Sequence, residues 1–199
     1  MTEPSIFGSS VIPLRLVFFM WLAFFLEYVY GWPISSLGLQ PRTLTGIIGI
    51  FSSPIIHGSI SHLISNTVPL LFLGSTLFFF YRHIGGVVFF RVYFLTNILV
   101  WLFARPANHI GASGVVYGLA FFLIFFGFFR RDFLSLVISV LTLLLYGGVF
   151  YGVLPTDQWV SWESHLAGAL VGITSAITFS AKKKSKSASI SFSKRQFSL

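Results

Sequence analysis

Gly111-Ala112-Ser113-Gly114-Val115-Val116-Tyr117-Gly118 opens an apolar run that continues to Phe129 and stops at Arg130-Arg131. Ser113 and Arg130 are 17 positions apart, about 25 Å of helix against a hydrocarbon core of roughly 30 Å. A second run begins at Ser164-His165-Leu166-Ala167-Gly168 and ends at Lys182-Lys183-Lys184, with His165 again 17 positions before the first cation. If both helices run the same way, a hydroxyl and an imidazole lie at one depth, just below one membrane surface. Polar groups are costly there and usually serve function. A nucleophile and a base inside a bilayer point to an intramembrane serine hydrolase.

Composition supports the membrane setting. The 199 residues are 55% hydrophobic and 9% charged, with a mean hydropathy of +0.87. These values exclude an ordinary soluble domain and predict an all-α polytopic membrane protein. The 25 phenylalanines, many in blocks such as Phe78-Phe79-Phe80, read as lipid-facing bulk. Cysteine is absent, which excludes disulfides, Cys-ligated zinc and thiol catalysis. The net charge is +8, but six of the 13 basic residues lie from Lys182 onward, beside a span. That placement suits anionic lipid as partner, not nucleic acid.

Six spans are predicted: Val11–Tyr30, His62–Phe80, Val87–Phe103, Ala112–Phe129, Phe133–Tyr151 and His165–Ser180. In the first, the apolar stretch after Arg15 runs too long for a signal peptide and no small-residue cleavage site follows it, so it reads as a retained span. Residues 1–181 form the membrane domain; 182–199, rich in Ser and Lys, read as a basic disordered tail. With the N-terminus in the cytoplasm, Arg15, Arg82, Arg91, Arg130, Arg131 and the six tail cations are inside, and only Arg42 and Arg105 outside. Both termini are then cytoplasmic. Spans two, four and six run from outside to inside. In the first outer loop, Gly46–Phe51 is apolar but too short to cross, and reads as an interfacial segment.

More polar groups converge on the Ser113 level. Asn66 lies 16 positions before Arg82, and His62 sits one helical turn above it on the same face. Gly114-x-x-x-Gly118 and Gly168-x-x-x-Gly172 are close-packing patterns, able to draw spans four and six together. Tyr117 shares the Ser113 face and is positioned to pack on the His165 ring. A triad acid is missing: Glu163 points away from His165 on a continuous helix, Asp157 is in a loop, and Glu27 ends span one. A Ser-His dyad fits best, with oxyanion donors available from Asn66, His62 and the Ser113 amide. His57 and His62 are five apart with no HExxH, so no metal or other cofactor is expected.

These residues closely resemble the rhomboid family of intramembrane serine proteases over roughly residues 40 to 175. The carriers are His57-Gly58-Ser59-Ile60-Ser61-His62-Leu63-Ile64-Ser65-Asn66, Gly111-Ala112-Ser113-Gly114 with Tyr117, and His165-Leu166-Ala167-Gly168 with Gly172. The resemblance implies Ser113 as nucleophile, His165 as base, and His62 and Asn66 in the oxyanion hole. Tyr117, Gly111, Gly114, Gly168, Gly172 and His57 are supporting residues. It also implies a six-helix core and substrates that are themselves membrane-spanning. One departure is visible: Pro41-Arg42 stands in the first loop where some members carry a Trp-Arg pair.

The expected function is thus an endopeptidase cutting in or near substrate transmembrane helices, in a bacterial inner membrane. The alternative is a non-catalytic rhomboid-like protein that binds membrane helices. A transporter or channel is disfavoured, because below Asn66, Ser113 and His165 the same helices are almost wholly apolar.

Overall fold

The computed structural model describes residues 5–155 and 160–196. Among the described residues the chain is helical, without strands. Helices α1 (Ile6–Tyr30), α3 (Ile60–Phe80), α4 (Arg82–Phe103) and α5 (Ser113–Arg130) match predicted spans one to four. The short helix α2 (Gly46–Ser52) is the predicted interfacial segment. Helix α8 (Trp162–Gln196) contains the last span, and its backbone continues helically past Ala181. Side chains beyond that point, and with them the disorder expected of the tail, lie outside the described residues.

The fifth predicted span is not one helix. Phe133–Tyr151 divides into α6 (Phe133–Tyr146) and the short α7 (Val149–Gly152). Gly147-Gly148 turns the chain between them, since paired glycines carry little helix propensity. A Cβ on Gly147 would lie 2.6 Å from the Leu143 carbonyl. The 14 residues of α6 reach about 21 Å. Five helices among the described residues therefore have crossing length, with α6 a shorter apolar companion.

Lipid offers apolar side chains no reason to leave it, so bundle order rests on close packing and hydrogen bonds. α5 is the centre: 67% of its span is buried, against 28–33% for α1, α3 and α4. Its closest partner is α8, where small residues face each other; α6 flanks it, and α1 packs on α3. Phe18, Phe90, Leu144 and many other large apolar side chains remain on the outside, as lipid allows.

A polar stripe fixes the first loop. Tyr93, Asn97 and Trp101 recur every four residues on α4, so they share one face. Their side chains donate to the carbonyls of Phe51 (2.5 Å), Ile50 (3.2 Å) and Thr43 (3.0 Å). The Arg42 guanidinium donates to the Leu102 and Ala104 carbonyls at the end of α4. Leu39 and His109 pair in one antiparallel bridge, which ties this loop to the α4–α5 connection.

Candidate active site

Ser113 is the first residue of α5 and is half-buried. The loop before it is held amide by amide. Gly111 N–H donates to the Ser53 carbonyl at 2.9 Å. Ala112 N–H donates to Nε2 of His57 at 3.3 Å. The Ser113 amide follows at the helix start, where no intrahelical acceptor exists for it. Gly111 has φ +111°, a left-handed conformation that favours glycine. A Cβ there would also press on the His62 ring, 2.6 Å from Cε1.

His57 is 2% exposed. Its Nδ1 donates to the Ile55 carbonyl at 3.2 Å, and its Nε2 accepts from Ala112, so both ring nitrogens are used by the neutral form. Burial, then the neighbouring His62, lower its pKa to about 4. The neutral folded form and a normal unfolded value near 6.5 give a definite sign. Below that value the unfolded chain binds a proton that the folded chain refuses, so stability falls as pH drops from 6.5 toward 4. The difference amounts to about 3 kcal/mol. In detergent, the unfolding midpoint should fall over that window, and His57→Gln should flatten part of the slope. An identical slope in the variant would exclude His57 as its source. His109, also lowered by burial, supplies a second part.

The His62 ring meets His57 edge to face, with centroids 4.9 Å apart. Asn66, one turn below, is buried and donates one amide hydrogen to the His62 carbonyl at 2.8 Å. Its second hydrogen is available to a ligand.

His165 is buried on the first turns of α8. Its ring stacks on Tyr117, with centroids 3.9 Å apart and planes within 8°. Nδ1 lies 2.8 Å from the Gly152 carbonyl. A carbonyl only accepts, so Nδ1 carries a proton, and in the neutral ring Nε2 keeps its lone pair. The group that orients the His165 ring is thus a backbone oxygen at the end of α7. Sequence reasoning searched for a carboxylate and had no signal for a carbonyl. Glu163 does point elsewhere, pairing with Arg105 at 3.5 Å. Asp157 lies outside the described residues.

The glycines bring α5 and α8 together. A methyl at Gly168 would strike the Gly114 carbonyl, and one at Gly172 the Gly118 carbonyl. Gly114 faces Ser164 and Thr96, and Gly118 faces Val92 and the Gly168 carbonyl. The Ser113 hydroxyl makes no hydrogen bond among the described residues, to His165 or to any other group.

One network near the site had no sequence signal. His109 Nε2 donates to the Arg105 carbonyl (3.1 Å), and Nδ1 accepts from Ser161 (2.6 Å), whose oxygen lies 2.7 Å from that of Ser164. With the Arg105–Glu163 pair, it clamps the α4–α5 loop to the start of α8.

A family model described as the rhomboid domain matches residues 45–182. An uncharacterized protein of Mycobacterium tuberculosis is 32% identical over 188 residues, covering 89% of this chain and 77% of that protein. An uncharacterized protein of Mycobacterium leprae is 32% identical over 190 residues, covering 88% and 73%.

Proposed function

Since the chain belongs to the rhomboid family, we propose that it is an intramembrane serine endopeptidase that cuts peptide bonds in or near the transmembrane segments of other membrane proteins. The observation that carries this reading is the state of His165. Its Nδ1 proton is committed to the Gly152 carbonyl and its ring is fixed on Tyr117, which leaves Nε2 unprotonated on the helix packed against Ser113. Nε2 takes the Ser113 proton, and the oxygen attacks the scissile carbonyl. The tetrahedral oxyanion is met by the free Asn66 hydrogen, the His62 ring and the Ser113 amide. His165 then returns the proton to the leaving amine. Water hydrolyses the acyl-enzyme, with His165 again as base. No metal or organic cofactor enters this scheme. Substrate helices must unwind locally, since a helical carbonyl is already bonded.

The multi-pass character and bacterial relatives support a bacterial inner membrane, and the Lys/Arg bias of the sequence favours both termini in the cytoplasm. The basic residues on the inner side would meet anionic lipid.

The test is labelling by a serine-reactive fluorophosphonate, together with co-expression against a library of tagged single-span proteins. Labelling at Ser113 and cleavage of a library member are expected. The second reading, a helix-binding protein without catalysis, draws on the unbonded Ser113 hydroxyl; resting active sites often show such loose geometry. Absence of both labelling and cleavage would favour it.

Asn66→Ala is expected to lower kcat by about 10²–10³-fold, as loss of an oxyanion donor does, with KM little changed. A normal kcat would make Asn66 a packing residue.

A further inference from the structure

Three side-chain carboxylates lie among the described residues: Glu27, Asp132 and Glu163. Asp132 is paired with Arg130, and Glu163 with Arg105. Glu27 has no cationic partner among the described residues. It opens onto a cavity of about 800 Å³ that is also lined by Phe24, Tyr28, Ser35, His57 and Ser59. Its Oε1 accepts from the Ser35 amide at 3.1 Å, which holds the carboxylate in place and leaves acceptor capacity free. The Phe24 and Tyr28 rings lie parallel along the wall, 6.0 Å between centroids. His57 links this cavity to the candidate site, since it accepts from the Ala112 amide beside Ser113 and touches His62.

A fixed carboxylate, flanking aromatic faces and room for a long side chain suit one chemistry. An aliphatic stem lies along the rings, and a cationic head meets the carboxylate. We propose that this cavity is a subsite for a basic side chain, lysine or arginine, of the substrate segment, with Glu27 as its charge partner. The assignment rests on the protease reading above. It also carries selectivity, because basic residues are scarce on the outer flanks of membrane spans.

The test uses the full chain in detergent and transmembrane peptides that carry arginine or glutamine at each position flanking the cleavage site. At one position the wild type should prefer arginine by about five- to tenfold in kcat/KM, the sum of a partly exposed ion pair and a cation–π contact. Glu27→Gln keeps the acceptor for Ser35. It should lose the preference between the two peptides, and Glu27→Lys should reverse it. A preference that survives in Glu27→Gln, or no preference at any position, overturns the proposal.

A second arm measures anisotropy of fluorescein-labelled peptides on the Ser113→Ala variant. The arginine peptide should bind tighter by a similar factor, and the double variant with Glu27→Gln should lose that margin. If no peptide is cleaved yet the margin depends on Glu27, the protease reading falls and the subsite stands. Cleavage without any margin has the opposite meaning.

Discussion

Ser113→Ala is expected to abolish proteolysis, by at least about 10⁴-fold in kcat, the scale on which loss of a serine nucleophile acts. The same variant should fold and melt like the wild type. The hydroxyl makes no hydrogen bond among the described residues, so its removal leaves none of them with an unsatisfied buried partner. The loop geometry is fixed by the Gly111 and Ala112 amides, not by the side chain. This separates the prediction from a folding defect. Turnover of a tagged single-span substrate and thermal unfolding in one detergent check both halves. Cleavage at the normal rate would remove Ser113 from the chemistry.

The second large effect is expected from Gly168→Val. A Cβ at Gly168 would run into the Gly114 carbonyl and lie 3.1 Å from the Gly118 amide. Both are backbone atoms of the central helix and cannot move aside cheaply. α8 must therefore back away from α5. His165 lies one turn from Gly168 and leaves its place on Tyr117 with it. A displacement of about 1 Å at a catalytic group costs on the order of 10²-fold. Activity should fall by at least that factor, and fluorophosphonate labelling of Ser113 should slow in parallel. Leu170→Val is the control: Leu170 is 50% exposed on the same helix, and its replacement should leave turnover unchanged. Full activity in Gly168→Val would show that this contact does not set the distance from base to nucleophile.

The amino-acid sequence by itself determined the fold class and the placement of the polar groups. Apolar runs ended by cations have one stable form in a bilayer. From the equal spacing of Ser113 and His165 to the cations, an expected common depth follows by helical rise alone. The glycine pairs on α5 and α8 likewise announced close packing, because only small residues admit it. Tertiary structure decided what residue type does not encode. The partner of the His165 ring is the Gly152 carbonyl, and every residue has a carbonyl, so no pattern singles this one out. The predicted fifth span breaks at Gly147-Gly148, although its uninterrupted hydropathy reads as one helix; hydropathy records lipid compatibility, not backbone continuity. Tyr93, Asn97 and Trp101 are polar points at a spacing of four in an apolar span, and nothing in the sequence marks their partners. They became the anchor of the first loop only when α2 folded back along α4 and brought carbonyls to that face, since a hydrogen bond needs both partners in place and the sequence lists only the donors.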